Sequence, residues 1–178
     1  MKFGVKKMVT MAVLATLSIV LMLLINFPII PIATYLRYEP ADVPILVGTF
    51  IFGPLSGLVI TFVVAAIQAT ILSADGLVGF VMHVAATGTL VMTAGLIYKK
   101  FHNRKGAIIA LLAGTLAMTL VMIPVNLIIQ PRFYGVPYEA VKSMIVPALI
   151  PFNLLKAGIN SAITMIVYKA ISKVVHKF

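Results

Sequence analysis

The sequence holds no cysteine, no tryptophan and only four acidic residues in 178. Without cysteine there is neither a disulfide framework nor a thiolate metal site. The three histidines, His83, His102 and His176, are too scattered along the chain for a metal cluster. Charge is scarce: 10% of residues are charged and 62% hydrophobic, whereas a water-soluble domain carries about 25% charged residues. So few charges cannot coat a globule. A fibre would show a short repeat, and none is present, nor is there a low-complexity segment or a separate soluble domain. A Gly-x-x-x-x-Gly-Lys-Ser/Thr loop for ATP is also missing.

What the chain does have is long apolar runs. Residues 8–36, 43–74, 76–98 and 106–131 contain no charge, and 143–168 is interrupted only by Lys156. About 20 apolar residues cross a bilayer core of about 30 Å, so each run can span at least once. The first run follows Lys2, Lys6 and Lys7, as a signal peptide would. It is longer than the ~7 to 15 residues of a cleaved apolar region and leads into Asn26-Phe27-Pro28, which predicts a retained helix.

The net charge of +10 would point to nucleic acid in a soluble protein, but its distribution points to membrane topology and no nucleic-acid partner. Lys2, Lys6 and Lys7, then Lys99, Lys100, Arg104 and Lys105, then Lys169, Lys173 and Lys177 form three clusters free of acids. By the positive-inside rule all three face the cytoplasm. A single crossing by 43–74 would put the second cluster on the wrong side, so this run must cross twice. At 1.5 Å per residue it makes about 48 Å of helix, too little for two full crossings. Gly53-Pro54-Leu55-Ser56-Gly57 marks the reversal and leaves a short stub before it. The expected architecture is an all-α integral membrane protein with six transmembrane helices, at about 8–26, 43–53, 54–73, 78–99, 106–129 and 148–175. The second is short, both termini are cytoplasmic, and outer loops lie at 27–42 and 130–147. The chain, 1–178, reads as one transmembrane substrate-binding domain in contact with membrane lipid.

Ionisable groups inside a membrane are costly and therefore functional suspects. Lys156 stands with Asn153 and Asn160 at spacings that share one helix face, and Asn126 lies in the same outer half of the membrane. A ligand pocket for a polar, neutral or mildly anionic molecule fits this set. The alternative is that Lys156 snorkels outward and the amides hold the bundle together. Tyr35, Tyr38, Phe133, Tyr134 and Tyr138 cluster in the outer loops, either as an interfacial belt or to cover a flat aromatic ligand. Ala12 and Thr16, with Ala15 and Ser18 nearby, give the first helix a small-residue face that another helix can approach. No Asp or Glu is expected within a crossing, so proton relays and carboxylate metal sites are missing, and energy for transport must come from another subunit.

Phe27-Pro28, Glu39-Pro40-Ala41-Asp42-Val43-Pro44 and Phe52-Gly53-Pro54, then Asn126 with Pro131 and Tyr134-Gly135, then Pro151-Phe152-Asn153-Leu154-Leu155-Lys156 resemble, in order and spacing, the riboflavin-specific substrate-binding subunits of energy-coupling-factor (ECF) vitamin transporters. The Pro-Phe-Asn-x-x-Lys element is the most specific. The resemblance implies a prokaryotic, multi-pass cell-membrane protein that captures riboflavin from outside, without being an enzyme and without a cofactor. A transmembrane coupling subunit and two ATPases would supply the energy, toppling the binding subunit to release the vitamin inside. It places ligand contacts at Asp42, Asn126, Asn153 and Lys156, with Tyr35 and Leu46, and docking on the coupling subunit at Ala12, Ala15 and Thr16. His83 stands where an asparagine is expected, and neither His83 nor Gln68 receives a role. Two other readings are a self-sufficient carrier for a related vitamin or nucleobase, against which the missing membrane carboxylates count, and a lipid-modifying enzyme, for which no nucleophile with its base is found.

Overall fold

A computed structural model describes residues 4–72 and 76–175. Lys2, Ser73, Asp75, His176 and Lys177 lie outside the described residues. Among those described, five helices are long and apolar enough to cross a membrane, and a sixth apolar helix is shorter. In chain order these are α1 (Val5–Leu24), α2 (Asp42–Phe52), α3 (Pro54–Ile67), α4 (Gly76–Lys100), α5 (Arg104–Phe133) and α7 (Ile150–Val175). A further short helix, α6 (Tyr138–Ser143), precedes a π-helical stretch, Ile145–Leu149, that feeds α7. A second π-helical stretch, Gln68–Leu72, extends α3.

The anticipated stub is α2, 11 residues long. Gly53 ends it with φ +89°, in the left-handed region that favours glycine, and donates its N–H to the Thr49 carbonyl at 2.8 Å. Pro54 follows at the start of α3, where its fixed φ suits a helix and its missing N–H costs nothing. The hairpin closes tightly because Gly57 and Gly95 carry no side chain. A Cβ on Gly57 would overlap the Thr49 hydroxyl, and one on Gly95 would come within 2.8 Å of the Pro54 Cα.

Two expected loops are more ordered than that. The segment 27–42 contains a small antiparallel ribbon, β1 (Phe27–Pro28) and β2 (Arg37–Tyr38), with Phe27 opposite Tyr38. Arg37 fastens its base by donating to the Asn26 carbonyl at 2.8 Å and to the Asn26 side chain. The segment expected as a loop at 130–147 is largely helical: α5 runs on to Phe133 through Pro124 and Pro131, and α6 and the π stretch fill most of the remainder. A proline does not stop this helix because neighbouring helices and side chains in a membrane bundle re-satisfy the freed carbonyls.

The core lies between helices: Met11 and Met22 of α1, Ile45 and Leu46 of α2, Ile60 and Val64 of α3, Leu90 and Val91 of α4, and Leu111 and Met118 of α5. The outward faces are apolar too. Leu112, Leu116 and Leu120 form an exposed stripe at i, i+4 and i+8 on α5, a surface suited to lipid rather than water. At one end of the bundle Lys7, the Gly53 turn, Lys99 and His102 gather around a cavity of about 370 Å³. The ribbon and the start of α7 lie toward the other.

Replacing Gly57 by alanine should force this hairpin apart. The expected loss is about 1 to 3 kcal/mol, the usual cost of overpacking, seen as a lower thermal midpoint in detergent. An unchanged midpoint would mean that the α2–α3 contact is looser than described.

Candidate ligand-binding site

The ribbon segment and helices α1, α3, α4, α5 and α7 enclose a cavity of about 700 Å³, within the range of small-molecule sites. Lys156 reaches it from α7, about 9 Å along the helix from Ile150 at 1.5 Å per residue. Its ammonium donates to Glu39 Oε1 at 3.1 Å, and the two side chains are only 13% and 8% exposed. This ion pair gives Lys156, the one charge that interrupts its apolar run, a buried carboxylate partner that the sequence did not assign to it. The loop before α2 folds inward and delivers a carboxylate from 117 residues away. An ammonium has three N–H donors, so the pair leaves Lys156 able to donate into the cavity.

Asn160, one turn further along α7, belongs to the scaffold. It is fully buried, donates to the Glu39 carbonyl at 3.2 Å and to Asp42 Oδ2 at 3.0 Å, and accepts from the Tyr38 hydroxyl at 2.9 Å. Thr87 of α4 donates to Asp42 Oδ1 at 2.7 Å. Burial, and then the Asp42 carboxylate, raise the Tyr38 phenol above its ordinary pKa, so it remains a donor at neutral pH. These bonds join the loop, α2, α4 and α7 in one network behind the cavity wall.

Asn126, Asn153, Lys156 and Tyr35 all line the cavity. Asp42 and Leu46, expected at the ligand, are set one layer back, 1% and 0% exposed and off the cavity surface. Asn126 donates to the Met122 carbonyl at 2.7 Å and accepts from Gln130 at 2.7 Å; Asn153 donates to the Leu149 carbonyl at 2.7 Å. Each amide is held by its own helix, and a primary amide has two N–H donors and two acceptor lone pairs, so both keep capacity for a ligand. Tyr134 lines the cavity with Tyr35, whereas Tyr38 is buried against Asn160 and Phe133 and Tyr138 point elsewhere.

Sequence reading missed Glu39, Gln130, His83 and Gln68, all cavity-lining. Gln130 could have been found four residues after Asn126 had α5 been extended past Pro131. On α1, Ala12 and Thr16 face outward and Ala15 is buried in the core, so the three small residues do not share one face. Among the described residues no group of three His, Cys, Asp or Glu side chains could hold a metal ion.

Residues 6–168 match the family described as ECF transporter, substrate-specific component. The riboflavin transporter FmnP of Bacillus subtilis (strain 168) is 31% identical over 173 residues, covering 92% of this chain and 90% of that protein. The riboflavin transporter RibU of Staphylococcus aureus (strain TCH60) is 29% identical over 173 residues, covering 94% and 90%. A solved structure of the S component of a bacterial ECF transporter superposes with a TM-score of 0.84 at 29% identity, covering 96% of this chain and 97% of that one.

The ion pair makes a prediction of its own. Lys156→Met alone leaves Glu39 buried without its cation and should cost about 3 to 5 kcal/mol. Adding Glu39→Gln should recover at least half of that. Denaturation of the two variants in detergent measures the difference, and equal losses would show that the pair is not coupled.

Proposed function

The chain belongs to the ECF transporter substrate-specific component family, and from that premise we propose that it binds riboflavin in the cavity beneath the ribbon segment. The observation that carries this reading is the convergence of Asn126, Asn153 and Lys156 on one cavity in a chain similar to two riboflavin transporters. A flavin offers a flat apolar ring system with a polar edge that both donates and accepts hydrogen bonds. The two amides can do both, and Lys156 donates. Tyr35 and Tyr134 at the cavity lend aromatic surface for the ring, where stacked pairs contribute about 0.5 to 1.5 kcal/mol beyond burial. Asp42 and Leu46 act from behind, Asp42 by fixing Asn160 and Thr87.

The chain has six crossings with α2 the abbreviated one, both termini cytoplasmic, and the cavity opening outward. It hydrolyses nothing itself. A transmembrane coupling subunit in the plasma membrane and two cytoplasmic ATPases drive release inward, and α1 meets the coupling subunit through the outward pair Ala12 and Thr16 rather than through Ala15. The gathering of Lys7, Lys99 and His102 at the end of the Gly53 turn supports this orientation through the positive-inside rule.

Purified protein should be yellow or should quench the fluorescence of added riboflavin, and a colourless preparation that quenches nothing would remove the ligand assignment. Asn153→Leu should weaken binding at least tenfold, about 1.4 kcal/mol, in a fluorescence titration. An unaltered titration curve would take α7 out of the pocket. For orientation, the cysteine-free chain gives a clean background: Leu55→Cys and Lys105→Cys should both be labelled only from the cytoplasmic side, and labelling from opposite sides would break the topology.

A further inference from the structure

Two polar atoms in the described residues are buried without a hydrogen-bond partner: Gln68 Oε1 and His83 Nε2. Both side chains line the large cavity, Gln68 from the π stretch that ends α3 and His83 from α4. His83 is 9% exposed. Buried polar atoms are normally paired, and an exception calls for an explanation. Here the protein provides none: Thr87, one turn from His83 on α4, is committed to Asp42. A π-helical turn, such as the one Gln68 opens, is itself rare and found frequently at functional sites.

The ring system of the ligand cannot serve both walls of the cavity. An oxidised flavin ring carries one N–H donor, and the amides and ammonium of α5 and α7 already match its polar edge. Gln68 Oε1 accepts only, so it requires a second donor. His83 Nε2 donates or accepts according to tautomer. A hydroxyl group meets both demands, since it donates one bond and accepts others from the same oxygen. We propose that Gln68 and His83 form a polyol subsite, separate from the α5–α7 amides, that grips the hydroxylated side chain of the flavin and sets the preference for flavins that carry it. This rests on the flavin reading above and assigns a specific part of the ligand to two residues on α3 and α4.

The test compares riboflavin with lumiflavin, which has the same ring system with a methyl group in place of the hydroxylated chain. Gln68→Met and His83→Leu should each weaken riboflavin binding at least tenfold in fluorescence titrations while leaving lumiflavin within twofold. His83→Gln, which restores a polar nitrogen or oxygen at similar reach, should recover most of the loss. The thermal midpoint of the ligand-free variants should stay level, because neither atom bonds another group of the protein. A purely structural role would lower it. Equal losses for the two flavins, or undiminished riboflavin binding, would overturn the subsite while leaving the flavin pocket standing. A wild-type protein that binds neither flavin would overturn the pocket reading and the subsite together.

Discussion

Much of this molecule follows from the need to pair one buried ammonium. Lys156 lies well inside α7, and an isolated charge in a low-dielectric setting is prohibitively costly. The chain has only four acids, and two of them, Glu39 and Asp42, are brought to this level, one bonded to Lys156 and the other to Asn160. Bringing them there fixes the path of the preceding segment. The ribbon of Phe27–Pro28 and Arg37–Tyr38 shapes its return, and the Tyr38 hydroxyl ties it to Asn160. Asp42, the first residue of α2, meets Thr87 and Asn160, so the network fixes where α2 starts. The eleven-residue helix is thus a consequence of the polar network as much as of the Gly53 turn.

The cavity lies between the segment that carries Tyr35 and Glu39 and helices α1, α4, α5 and α7. Irregular backbone at membrane depth is tolerated where it is buried in protein or lines a cavity, and the two π-helical stretches border this region, one carrying Gln68 and the other ending at Leu149, whose carbonyl holds Asn153. The opposite end of the bundle is built on a different rule. There Gly57 lets α2 and α3 meet at Thr49, and Gly95 lets α4 meet Pro54, so the short helix is seated by close contacts at its far end and by the polar network of Asp42 at its near end.

The helical architecture was legible in the sequence because it rests on charge-free run lengths, a local quantity. The abbreviated second helix followed from arithmetic on a single run. The site was legible where spacing on one helix carried it, as for Asn153 and Lys156. It failed where depth in the wall mattered. Asn160 shares a helix face with Lys156, yet one turn further on it meets Asp42 and Tyr38 instead of the cavity. Asp42 and Leu46 stand one layer back for the same reason: a sequence does not distinguish a side chain that touches a ligand from one that braces it. Glu39 was overlooked as a partner because the two charges are far apart along the chain, and Gln130 because the fifth crossing was ended at about residue 129. His83 and Gln68 had no pattern to mark them, since what singles them out is the absence of a partner in three dimensions.

The polar groups of the outer half of the bundle fall into a graded series. Asp42 and Asn160 are bonded on several sides by the protein and serve to hold helices in place. Asn126, Asn153 and Lys156 are each anchored by at least one internal bond and retain capacity toward the cavity. Gln68 and His83 present atoms with no internal partner at all. An unpaired buried polar atom costs about 1 to 3 kcal/mol, so under the proposed subsite a ligand whose hydroxyls pair both atoms is favoured over one that leaves them unpaired. On the proposed reading, the network that is complete before binding shapes the pocket, and the atoms without a partner select what fills it. Discrimination on that reading comes from these atoms, because an analogue that fits the space but lacks the hydroxyls leaves them without a partner.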